Sequence, residues 1–203
     1  MKRVSVLASG RGSNFQAIID SVESGRLEVT IGSLITDNPQ AYAIERAERA
    51  GIPVQLVNFA SYAERSAYEA ALLQAMEDSS ADLFVLAGYM RILEGMIVRR
   101  YLGRLINIHP ALLPSFPGLH AQEQALRHGV KISGCTVHFV DEGMDTGPII
   151  LQRCVPVRDD DDEEGLSARI LAQEHIALPE AIGLFCEGRL KIEGRRVRVL
   201  PRE

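Results

Sequence analysis

Residues 4–22 read VSVLASGRGSNFQAIIDSV, and their order decides the fold. Residues 4–8 form a short apolar run of the length of a buried strand. Ser9-Gly10-Arg11-Gly12-Ser13-Asn14 makes a Gly-rich turn, after which Phe15, Ile18, Ile19 and Val22 recur at helical spacing. A strand feeding a turn and then a helix is the opening of a parallel sheet with helices packed on it.

The same alternation continues outward from this stretch. Residues 31–35 read as a second strand, 40–50 as a helix ended by Gly51, and 54–57 as a third strand after Pro53. Ser61 followed by Glu64 has the capping-box pattern, with Leu72, Leu73 and Met76 giving the helix it opens an apolar face. Residues 83–87 read as a strand, 94–102 as a helix and 104–108 as a strand. Pro110, Pro114 and Pro117 then exclude a long helix and predict a loop. A helix over 121–128, strands over 135–140 and 149–156, a long helix over 166–186 and a hairpin at Glu193-Gly194 complete the chain. The expected fold is one α/β domain: an open, mostly parallel twisted sheet with helices on both faces and a C-terminal antiparallel hairpin. Its halves are 1–100 and 101–203, and ligands belong in the loops after the strands, following residues 8, 36, 87, 108 and 140.

Composition narrows the function. The 203 residues are 46% apolar and 24% charged, enough for a core and far from disorder. A net charge of -5 argues against a nucleic-acid partner. No stretch approaches the length of a membrane span, and residues 4–8 are too short for a signal peptide's apolar region. Six acids crowd into residues 159–164, leaving 22 cations against 21 acids elsewhere; the run reads as a solvated loop that also favours the start of the next helix. Cys135, Cys154 and Cys186 have neither disulfide-framework nor zinc spacing, which fits a reducing cytoplasm and no metal.

Three loops carry candidate chemistry. Gly10 to Asn14, between strand and helix, suits an anion such as a phosphate, held by backbone N–H groups, or else is a tight structural turn. It fails the dinucleotide fingerprint at the third glycine and lacks a P-loop ending. Asn107 and His109 stand at i and i+2 of a strand, so they share a face. The pair supplies N–H donors for a developing oxyanion and a titratable proton carrier, or else strand-end hydrogen bonds. Asp145 lies in the turn-rich segment 141–148, where it either pairs with His109, favouring imidazolium, or meets water. His120, His128, His138 and His175 read as structural histidines.

Together these segments resemble the 10-formyltetrahydrofolate-dependent formyltransferase family over nearly the whole chain. The resemblance is carried by residues 10–14 (GRGSN), 86–93 (LAGYMRIL), 107–114 (NIHPALLP) with Gly118, 145–150 (DTGPII) and 173–175 (QEH). It implies a Rossmann-like formyltransferase fold and transfer of the formyl group of 10-formyltetrahydrofolate, a co-substrate, to the amino group of 5-phosphoribosylglycinamide in de novo purine biosynthesis. It further implies that Asn107 and His109 stabilise a tetrahedral intermediate, with His109 the proton donor and Asp145 orienting it and raising its pKa. By the same resemblance Gly12, Ser13 and Asn14 bind the substrate phosphate and Glu174 the same substrate. Arg65, Met90, Arg91, Ile92, Leu93, Asn107, Asp141, Glu142, Gly143, Met144 and Asp145 hold the folate, and Leu113-Pro114 is a cis candidate. Leu171 stands where relatives often place a polar residue, and Ala111 where serine is common.

The expected partners are these two small molecules, with no nucleic acid or membrane, and the assembly a monomer or weak homodimer. Formyltetrahydrofolate deformylase shares the Asn, His and Asp but is expected to be longer and gives the phosphate loop no purpose. Methionyl-tRNA formyltransferase is expected to carry a further RNA-binding domain. A non-catalytic nucleotide-binding module gives no reason for Asn107, His109 and Asp145.

Overall fold

In the computed structural model, which describes residues 1–202, the strand, turn and helix of the opening stretch are β1 (Lys2–Leu7), the Gly-rich turn and α1 (Ser13–Glu23). Val4, Val6 and Leu7 are completely buried, as are Phe15 and Ile18 on the inward face of α1. Burying each such side chain is worth roughly 1.5–3 kcal/mol, which is why this short apolar run takes a central place. The chain gathers into two units, Met1–Ile106 and Asn107–Glu203, whose boundary falls within β5 (Leu105–His109).

In the first unit β2 (Val29–Thr36), β3 (Val54–Leu56) and β4 (Leu83–Leu86) join β1 in the order β3-β2-β1-β4, and the β1–β2, β1–β4 and β2–β3 pairings are parallel. The Phe84 N–H donates to the Arg104 carbonyl at 2.9 Å, bringing the approach to β5 alongside β4. Between the strands run α2 (Ala43–Arg49), α3 (Arg65–Ser79) and α4 (Gly95–Arg100).

The expected helix start after Ser61 is not there. Residues Phe59–Ser61 form a 3₁₀ turn, and α3 begins at Arg65 with Glu64 as its cap. Asn58 Oδ1 accepts the Ala60 N–H at 3.2 Å, a local bond that competes with helix entry. The rings of Phe59 and Tyr62 meanwhile pack edge-on against buried Tyr68.

In the second unit α5 (Ala121–His128) leads to β6 (Ile132–Phe139), which pairs antiparallel with β7 (Ile149–Pro156). α6 (Glu163–Cys186) packs against both. β8 (Leu190–Glu193) and β9 (Arg196–Val199) form the antiparallel hairpin, and β9 lies parallel to β7. With its parallel pairings and this hairpin, the fold is the α/β class expected. The acidic run behaves as a helix start: Asp162 Oδ1 caps the Gly165 N–H at 2.8 Å, Glu163 and Glu164 occupy the first turn, and Asp161 pairs with Arg169 at 2.6 Å. Among the described residues, no helix is long and apolar enough to cross a membrane.

Candidate active site

The end of β5 presents Asn107 and His109 on one face while Ile108 turns into the core, 7% exposed. Asp145 reaches this face from the segment between β6 and β7. That segment is closed by Asp141, whose Oδ1 accepts the Gly143 N–H at 3.1 Å and the Thr146 hydroxyl at 2.6 Å. Asp145 itself sits at φ +54°, a left-handed conformation that an L-residue adopts at some cost. The surrounding turn fixes it there.

From this position one carboxylate touches every polar group of the cluster. Asp145 Oδ2 accepts the Gly118 N–H at 2.8 Å and lies 3.4 Å from His109 Nδ1. Asp145 Oδ1 lies 3.4 Å from Asn107 Nδ2 and 3.6 Å from Nε2 of His138. On the far side of its ring, His109 Nε2–H donates to the Phe116 carbonyl at 2.8 Å. The loop that carries Phe116 and Gly118 includes the Leu113-Pro114 peptide, which is cis, and Phe116 at φ +54°.

Electrostatics follow from this packing. His109 is 4% exposed, and burial pushes its pKa below the usual histidine value. The Phe116 carbonyl and the Asp145 carboxylate pull the other way. Burial wins, so the resting ring favours the neutral form more than a free imidazole does. For Asp145, burial works to raise the pKa, but hydrogen bonding, the Gly118 N–H included, and the His109 ring outweigh it and hold the carboxyl below its ordinary range. The cluster thus joins an ionised carboxylate, an imidazole between two oxygen acceptors and a carboxamide N–H donor. Such a set can hold a developing oxyanion and deliver a proton.

Glu174, on α6, is buried at 6% exposure. Burial, followed by the nearby Glu174 charge, pushes the Cys135 thiol up to about 12. Glu142, Gly143 and Met144 occupy the exposed part of the segment before Asp145, and Met144 is 56% exposed.

The first unit holds the remaining candidates. Gly12 caps α1 at φ +67°, and a Cβ there would lie 2.8 Å from Ala43 Cβ, so conformation and space both call for glycine. No side chain caps the start of α1, and a helix start is where backbone N–H groups can hold an anion. Helix α2 holds the turn in place: Ala43 N–H donates to the Gly10 carbonyl at 3.1 Å and Arg46 Nε to the Arg11 carbonyl at 2.8 Å.

Arg65 donates to the Ile92 carbonyl at 3.0 Å and pairs with Glu94 at 3.1 Å, so it braces the segment from Met90 to Leu93. Met90 and Ile92 are 62% and 65% exposed whereas Leu93 is buried. Arg91 stacks over Phe59 and pairs with buried Asp37 at 2.8 Å.

Three participants had no sequence signal. His138 stands alone on its strand, with no partner at i±2 to mark it. Arg46 and Asp37 act on loops 35 and 54 positions away. Only the fold joins them.

Residues 2–182 match the formyl transferase family model. The chain is 43% identical to phosphoribosylglycinamide formyltransferase of Escherichia coli, covering 92% of this chain and 88% of that protein. It is 47% identical to the trifunctional purine biosynthetic protein adenosine-3 of Drosophila melanogaster, over 92% of this chain but only 14% of that protein. The chain therefore spans about a seventh of the length of that relative. Among solved structures, glycinamide ribonucleotide transformylase 1 from Symbiobacterium toebii superposes with a TM-score of 0.96 at 53% identity, covering 99% of this chain and 95% of that one.

Proposed function

The chain belongs to the formyl transferase family, and from that membership we propose that it transfers the formyl group of 10-formyltetrahydrofolate to the amino group of 5-phosphoribosylglycinamide, a step of purine biosynthesis. The observation that carries the reading is the meeting of Asn107, His109 and Asp145 within 3.4 Å contacts of one carboxylate.

The substrate amine attacks the formyl carbon, and the carbonyl π electrons move to oxygen. Asn107 donates an N–H to that oxygen, which stabilises the charge that appears only as the tetrahedral centre forms. His109, as imidazolium sustained by Asp145, exchanges its bond to the Phe116 carbonyl for one to the reacting centre and supplies a proton. The oxyanion electrons then re-form the carbonyl as the C–N bond to the folate breaks; the folate nitrogen keeps that bond's electron pair and takes the proton given by His109, while the attacking nitrogen returns one of its own protons to the His109 ring, leaving the formamide on the acceptor.

Gly12, Ser13 and Asn14 hold the acceptor's phosphate at the start of α1, and Glu174 contacts the same substrate. The folate is held by Arg65, Met90, Arg91, Ile92, Leu93, Asn107 and residues 141–145. The enzyme works in the cytoplasm as a monomer or weak homodimer.

The test is release of tetrahydrofolate from 10-formyltetrahydrofolate with and without the phosphorylated amine. Transfer requires the amine for release. Equal release without it would assign a deformylase instead, and no release in either arm would refute formyl-group chemistry altogether.

A further inference from the structure

We propose that His138 is a positioning residue for the oxyanion donor: as the neutral Nδ1–H tautomer it fixes which way the Asn107 carboxamide faces. The proposal rests on the formyl-transfer reading above and adds a residue to it.

The register of β6 against β7 slips between Val137 and His138, an irregularity of the kind that re-aims a side chain beside a site. The His138 ring, 2% exposed, thereby reaches both Asn107 and Asp145. Its Nδ1 lies 2.9 Å from the carbonyl oxygen of Phe139. A carbonyl can only accept, so Nδ1 carries the hydrogen, and in a neutral ring Nε2 is left with a lone pair. The Phe139 carbonyl is itself held in place. Phe139 N–H donates to the Pro148 carbonyl at 2.9 Å, and Gly147 packs so closely that a Cβ there would run into the Phe139 oxygen.

Facing Nε2 at 3.3 Å is one end of the Asn107 carboxamide, which also lies 3.4 Å from Asp145 Oδ1. A carbonyl oxygen in that place would confront a carboxylate oxygen and a ring lone pair with no hydrogen among the three. The acceptors themselves therefore require the NH₂ group there. They are 3.6 Å apart, so with the amide nitrogen they form a nearly equilateral triangle and subtend roughly 60° at it. The two N–H bonds of a carboxamide diverge by about 120°, wide enough that when one N–H is shared by both acceptors the other points away from them, and this is the arrangement proposed for Asn107. That second N–H is the oxyanion donor. Asn107 is partly exposed while both histidines are buried, which leaves a reacting group access to it.

The decisive experiment is ¹⁵N NMR of the ligand-free full chain with ¹⁵N-labelled histidine, His138 being assigned by the signal lost in His138→Gln. A pyrrole-type Nδ1 and a pyridine-type Nε2 at neutral pH are expected. An imidazolium or an Nε2–H tautomer would overturn the proposal, since either aims a hydrogen at the place where Asn107 donates. This readout needs no substrate, so it stands apart from the formyl-transfer assay. Kinetics provide the second arm. His138→Gln returns an acceptor oxygen near the Nε2 position and keeps kcat within about threefold, whereas His138→Leu lowers kcat by about 10²-fold with KM nearly unchanged, the scale of one oxyanion donor. Equal losses in the two variants, or losses in KM alone, would reduce His138 to a packing residue.

Discussion

Asp145→Asn removes one charge and, with its oxygen kept on the Gly118 N–H, puts an NH₂ group in place of the Oδ1 that accepts from Asn107. Asn is among the few residues that tolerate the left-handed conformation at φ +54°, and its carbonyl oxygen can still accept the Gly118 N–H. What disappears is the attraction between the carboxylate and a protonated His109 at 3.4 Å. At an effective dielectric constant of about 20 that attraction is about 5 kcal/mol, a ceiling for this pair. If half of it is realised as the proton moves, kcat falls by about 10²-fold.

The pH profile gives the sharper readout. Burial already holds the His109 pKa below its ordinary value, and Asp145 is one of the groups pulling it back up. Without that charge the pKa falls further, so less proton donor is present at neutrality. The descending limb of kcat, where imidazolium is lost as pH rises, then moves to lower pH. Steady-state rates from pH 5 to 9 with saturating substrates measure both effects. A limb that stays in place while kcat drops would refute the electrostatic coupling, and a kcat unchanged at all pH values would remove Asp145 from the chemistry.

Further outcomes follow from the same geometry. Gly12→Ala forces a Cβ against Ala43 at φ +67°, so the melting temperature falls by several degrees, for a cost of about 1–2 kcal/mol, and affinity for the phosphorylated amine drops more than affinity for folate; equal losses by calorimetry would separate the turn from phosphate binding. Asp162→Ala removes the cap on the Gly165 N–H and lowers stability by about 1 kcal/mol in urea unfolding with kcat unchanged, whereas an activity loss would give the acidic run a role beyond starting α6. Because His109 has a lowered pKa in the folded state, its contribution to stability is complete above the unfolded value near 6.5 and is lost as pH falls toward the folded value. Unfolding free energy should therefore decline from pH 7.5 to 5.5, and less steeply in His109→Gln; equal slopes would contradict the burial argument.

The sequence was legible where a signal is local. Helix α5 and strand β7 lie over the residues expected from periodicity, and the i, i+2 spacing put Asn107 and His109 on one face before any coordinates did. It was misleading at Ser61, where two local patterns compete: the capping box needs the chain to enter a helix, but Asn58 captures the next turn and the rings of Phe59 and Tyr62 seat on Tyr68. Long-range pairing explains what was missed. Asp145 lies 38 positions from Asn107, and spacing alone left it either paired or in water. His138 becomes visible only through a slip in the β6–β7 register. The lowered pKa of His109 was equally hidden, because it reports burial by residues distant in the chain.

The role given to the Asn107 carboxamide is tested most directly by Asn107→Ala, with single-turnover rates of formyl transfer measured alongside calorimetric binding of both substrates. Loss of one oxyanion donor lowers the rate by at least about 10²-fold and leaves both affinities nearly intact. A rate within a fewfold of wild type, or a loss confined to binding, would contradict it.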